Sequence, residues 1–142
     1  MPHISTKKLD EEYYLKLYIQ LVKIFDSAGQ SKKSILLFKD FFTETEKIMF
    51  TKRLAIICLL EEGVSRPYIS EMLLVSPSTV DRISLLYEIG QYKHITEILK
   101  KYNRTIWEIL EGIIRDSVSK QVGKRRMAWL TEIENKHKTK IF

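Results

Sequence analysis

Apolar and polar positions recur along this chain every three to four residues, with few breaks, and the pattern predicts a series of helices. From Leu9 to about Ser27, the residues Leu15, Tyr18, Ile19, Val22 and Phe25 form one stripe, and Tyr14, Leu17, Leu21 and Ile24 widen it. A helix apolar on more than one side needs burial on two faces, which predicts a homodimer; the competing reading is the central helix of a monomeric bundle. Gly29 is expected to end this helix in the loop Asp26–Lys33. Ser34–Phe42 follows as a short apolar helix. Thr43 with Glu46 reads as a capping box, opening a helix that runs to about Glu62 and stops at Gly63. Its inward stripe reads as Ile48, Leu54 or Ala55, Cys58 and Leu59.

The stretch Ser65–Tyr87, SRPYISEMLLVSPSTVDRISLLY, holds two helix starts. Ser65 can N-cap a first helix with Pro67 in its opening turn, and Ser76 can N-cap a second with Pro77 at its first position. Met72–Val75 leaves room only for a short turn. Ile69 and Leu73 share a face of the first helix, Val80 and Ile83 a face of the second, and Val75 closes the corner. Ser70 is small where the helices approach. This is the pattern of a helix-turn-helix, whose second helix can lie in a DNA major groove. The alternative is an ordinary corner between two core helices. Leu74 stands where such turns favour glycine, so either the turn takes another conformation or Leu74 carries the strain of a positive φ.

After Tyr87, Gly90 breaks the helix. Tyr92–Lys101 predicts another, with Ile95, Ile98 and Leu99 inward and Asn103 as its stop. Thr105 with Glu108 reads as a second capping box before an amphipathic helix carrying Ile106, Trp107, Ile109, Leu110, Ile113, Ile114 and Val118. The expected organisation is a helical domain over 1–101 and a basic amphipathic helical extension over 102–142. With 5 Gly and 3 Pro in 142 residues, the fold class is all-α.

Charge placement sharpens the picture. Residues 1–99 hold 13 Lys/Arg and 13 Asp/Glu, whereas 100–142 hold 11 and 5, so the C-terminal part supplies the whole net +6. Nucleic acid would be attracted chiefly there. No apolar run approaches the ~18 residues of a membrane span. No secretory signal is visible, and a cytoplasmic location is expected. The single Cys58 excludes an intramolecular disulfide and reads as a buried small hydrophobe. His3, His94 and His137 are scattered, and no CxxC, HExxH or Gly-rich phosphate loop occurs. Nothing nominates a catalytic residue, a metal or a cofactor, and the chain is not expected to be an enzyme.

Phe42–Tyr87 resembles the Trp repressor family. The resemblance is carried by FTETEKIMFTKRLAIICLLEEG, by VSRPYISEMLLVS and by SPSTVDRISLL, with Thr79–Arg82 matching the family's T-x-x-R segment. It is closer to the Trp repressor-related YerC/YecD-type branch than to tryptophan-responsive members. It implies an intertwined, all-helical homodimer that binds double-stranded DNA and regulates transcription. Arg53 and Arg82 match the two arginines that sandwich the indole ring in tryptophan-binding members, but Ile83 replaces the adjacent Gly and Leu86 a small polar residue. Two branched side chains are expected to fill that pocket, so no tryptophan response is expected.

The expected DNA-contacting residues follow. Ser65, Arg66 and Tyr68 lie near phosphates; Ser76, Ser78, Thr79, Asp81 and Arg82 face the groove. Arg82 can take guanine or phosphate, and Asp81 can accept from cytosine or hold Arg82. Lys124, Arg125 and Arg126, with Lys120, add salt-sensitive affinity. The rival is a protein-interaction module in which the helix-turn-helix is structural; coverage of Thr79 and Arg82 by the C-terminal helix would favour it.

Overall fold

The computed structural model describes residues 6–120, the side chains of 103 and 117–120 excepted. Among the described residues six α-helices follow one another: α1 (Glu11–Gln30), α2 (Ser34–Phe41), α3 (Glu44–Glu61), α4 (Arg66–Leu73), α5 (Pro77–Glu88) and α6 (Lys93–Lys120). The fold is all-α, with no strand among the described residues. The chain divides into two compact units, Met1–Lys47 and Ile48–Phe142.

In the first unit, Asp10 caps α1: its carboxylate accepts from the Glu12 amide at 3.0 Å. Glu11 and Glu12 complement the helix dipole in the first turn. Gly29 does not end the helix. It lies inside α1, and the end comes after Gln30, where the Ser31 hydroxyl donates to the Ser27 carbonyl at 2.8 Å. Lys32 takes the positive φ of 56° that glycine was expected to supply. Phe25 of α1 meets the rings of Phe38 and Phe41 edge-on, at centroid distances of 5.4 and 6.1 Å, which folds α2 back on α1. Neither helix contains a buried residue. The Thr43 capping box is formed: Thr43 Oγ1 accepts from the Glu46 amide at 3.2 Å, and Glu46 Oε2 accepts from the Thr43 amide at 2.8 Å.

The second unit is built on Ile56, Ile57 and Leu59 of α3, Val64 of the following connection, Ile69 and Leu73 of α4, Val80 and Ile83 of α5, and Trp107, Leu110 and Ile114 of α6. The inward face of α3 is the expected one at Ala55, Cys58 and Leu59 and differs elsewhere. Ile48 is exposed and Leu54 lies on the surface, while Ile56 and Ile57 are buried. Its stretch Leu54–Leu60 is apolar on every side, so periodicity alone does not select the face there.

α6 is one continuous helix where two were expected. Asn103 does not stop it, and Thr105 caps nothing, because Glu108 instead accepts from Arg104 Nε at 3.3 Å along the same helix. Asn and Thr cost a helix interior only about 0.5 kcal/mol each relative to Ala, whereas the apolar stripe of Leu99 resumes one turn past Asn103 at Ile106, Leu110 and Ile113. The expected division at 101/102 falls inside α6. Trp107, Leu110 and Ile114 are buried, each side chain contributing about 1.5–3 kcal/mol, so residues expected in an appendage complete the core. No helix among the described residues is long and apolar enough to cross a membrane.

Candidate nucleic-acid interface

The approach to α4 is set by Gly63. Its φ of 77° lets the Gly63 amide reach the Leu60 carbonyl and the Val64 amide the Leu59 carbonyl, both at 3.0 Å, closing α3. The chain then turns into Ser65, which caps α4 with extended backbone but without a side-chain cap hydrogen bond. The Ser65 hydroxyl is left at the mouth of an open cleft of about 450 Å³, also lined by Arg66, Pro67, Ser84, Tyr87 and Glu88.

The turn from α4 to α5 resolves the alternatives for Leu74. It adopts φ 53° and ψ 52°, a left-handed conformation, with its side chain exposed to solvent. Three polar contacts hold it there. Lys52 Nζ donates to the Leu74 carbonyl at 3.0 Å, the Val75 amide to the Ser70 carbonyl at 3.2 Å, and Ser70 Oγ to the Val75 carbonyl at 2.7 Å. Val75 is half-buried against the core at the corner, as its position predicts.

α5 opens on Ser76, whose Oγ accepts from the Thr79 amide at 3.3 Å, with Pro77 next in the first turn. The hydroxyls of Ser78 and Thr79 lie 3.2 and 2.8 Å from Ser76 Oγ, so the three form one polar cluster at the helix start. Val80 and Ile83 enter the core, and Thr79 on their flank is half-buried. Arg82, one turn beyond Thr79, is exposed and has no ion-pair partner among the described residues. Ser76, Ser78 and Thr79 thus gather at the start of α5, and Arg82 stands one turn further along.

Asp81 and Arg66 behave otherwise than expected. Asp81 does not hold Arg82. Its Oδ1 lies 3.4 Å from Arg66 Nη1, and Arg66 Nη2 lies 3.5 Å from Glu88 Oε1. Arg66 thus clamps the start of α4 to α5 and has two carboxylates competing for its charge. Tyr68 is half-buried, its ring packed against the core. Lys124, Arg125 and Arg126 lie outside the described residues, as does the side chain of Lys120.

The expected indole pocket is also altered. Ile83 is 6 % exposed and belongs to the core, and Arg53 Cζ lies 5.7 Å from the centroid of the Phe50 ring. Two contributors had no signal in the sequence. Lys52 reaches the turn from α3, 22 positions away, and Tyr87 Oη donates to Glu61 Oε1 at 2.9 Å across 26 positions. Burial, followed by that hydrogen bond, pushes the Tyr87 hydroxyl up to about 12. Cys58, half-buried on α3, is pushed up to about 11 by burial first and then by Glu62 and Glu61, which keeps it a thiol. Comparison with family models, with curated proteins and with solved structures returns no match to this chain.

Proposed function

We propose that the protein binds double-stranded DNA as a homodimer and regulates transcription, with α5 as the helix that enters the major groove. One observation carries the reading: α5 buries Val80 and Ile83 while the hydroxyls of Ser76, Ser78 and Thr79 cluster at its start and Arg82 is exposed with no ion-pair partner among the described residues. Hydroxyls accept or donate to base edges and phosphates, and a free guanidinium forks onto guanine or a phosphate. Ser65 and Arg66 lie at the start of α4, the helix that crosses the DNA backbone in this mode, and the basic residues 124–126 add sequence-independent attraction. The dimer is supported by α1 and α2, where Tyr13, Leu17, Ile24, Ile35 and Phe41 are all more than half exposed. Tryptophan is not expected to act, since Ile83, where tryptophan-binding members carry Gly, is a buried core residue.

The rival reading, a protein-interaction module, draws on the zero charge balance of residues 1–99. It calls for Thr79 and Arg82 to be covered by the C-terminal helix; Arg82 is exposed and Thr79 is half-buried. Selection of bound sequences from a pool of random duplexes by the full chain tests the choice. The DNA reading expects an enriched motif with two related half-sites about one helical turn apart. An unenriched pool contradicts it.

A further inference from the structure

The outer side of α6 carries a second apolar row beside the one that enters the core. Ile95, Ile98, Tyr102 and Ile109 are 40, 57, 60 and 63 % exposed, and Thr105 and Gly112, which complete the row, are exposed as well. These six residues are spaced alternately by three and four, the a and d positions of a heptad repeat. Lys101 and Glu108 flank the row on its solvent side at two successive g positions, both exposed. Glu108 has a neighbour in Arg104 at 3.3 Å, and Lys101 has no ion-pair partner among the described residues. On the other flank, at e, stand Leu99, Ile106 and Ile113, each half-buried against the core.

We propose that α6 pairs antiparallel with α6 of a second copy, about a two-fold axis crossing the helix between residues 103 and 104. In that register a faces d throughout: Ile98 meets Ile109 of the second copy, Tyr102 meets Thr105, and Ile95 meets Gly112, which has nothing near its Cα to obstruct a close approach. Two-fold symmetry makes each contact twice. The same register sets Lys101 beside Glu108 of the second copy on both sides of the axis. A parallel pair loses this match, because g then faces e, and e is apolar along the whole row. The row is thus complementary to its own reverse in both shape and charge, which selects a second copy over an unrelated partner. The pairing rests on α6 alone and stands apart from the DNA-binding reading.

Charge reversal tests it in the full chain, with helicity followed by circular dichroism. Sedimentation over a micromolar range should show an association step that Lys101→Glu weakens about tenfold, as two attractive surface pairs become repulsive. Adding Glu108→Lys to that variant should restore the step, whatever association α1 contributes. Positions 101 and 108 are two turns apart on one helix, so no contact within a chain explains such a rescue. In a Cys58→Ser background, Ile98→Cys with Ile109→Cys should give a disulfide-linked dimer under mild oxidation. The proposal is overturned if Lys101→Glu sediments like the parent, if the double reversal fails to restore association with helicity intact, or if no linked dimer forms. The last two results would assign the row to the chain's own residues 121–142 or to a different protein.

Discussion

Arg66, the first residue of α4, is held 3.4 Å from Asp81 in α5, a contact that ties together the two helices of the candidate interface. Both partners are more than half exposed, so the pair contributes at most about 1 kcal/mol to stability. Its weight lies in charge. Asp81 occupies Arg66 and adds a negative charge to the side of α5 that would face phosphates. Asp81→Asn should therefore raise affinity for every duplex by about three- to tenfold and steepen the salt dependence by about one released counterion. Anisotropy titrations at several salt concentrations check this. A loss confined to the selected sequence would instead make Asp81 a reader of cytosine.

Leu74 holds a left-handed backbone conformation with its side chain in solvent. Glycine adopts that conformation without steric cost, and little apolar burial is lost with the leucine. Leu74→Gly should stabilise the fold by about 1 kcal/mol, less the extra chain entropy of glycine, and raise the melting temperature by roughly 1–3 °C. Gly63→Ala should act the other way, because its φ of 77° suits no Cβ although nothing crowds it. Thermal melts of the two variants decide; a lowered melting temperature for Leu74→Gly would count against strain at the turn.

The residues explain which parts of this fold could be read in advance. The capping box at Thr43, the cap at Ser76 and the stop at Gly63 depend on neighbours within four positions, and local chemistry suffices for them. The inward faces of α4 and α5 were legible because polar residues border Ile69, Leu73, Val80 and Ile83. The face of α3 was legible at Ala55, Cys58 and Leu59 only, since Leu54, Ile56 and Ile57 spread apolar side chains around the helix. Asn103 and Thr105 read as punctuation, yet both are tolerated inside a helix once a continuous apolar stripe packs against a core. At the candidate interface the hydroxyls and Arg82 followed from helical spacing. The pairing of Asp81 with Arg66 did not, because it joins side chains 15 positions apart that meet only after the turn has formed.

Alkaline pH probes the packing of α3 against α5. The folded Cys58 thiol ionises near 11 against an ordinary 9.0, and the Tyr87 hydroxyl near 12 against 10.0. Between the unfolded and folded values the native state holds more protons than the unfolded chain, so stability is intact below about pH 9 and falls as pH rises through that window. The urea midpoint should drop between pH 9 and 11, and less so in Cys58→Ala with Tyr87→Phe. Equal slopes in parent and variant would mean these groups are not protected by folding.

The central claim is that α5 meets DNA through its exposed hydroxyl and arginine side, and Arg82 gives its most direct test. On the selected duplex, Arg82→Ala should cost about 1–3 kcal/mol of binding, the value of one lost base or charged phosphate contact, while the thermal melt stays that of the parent. An Arg82→Ala protein that binds the same duplex as tightly as the parent would contradict the account.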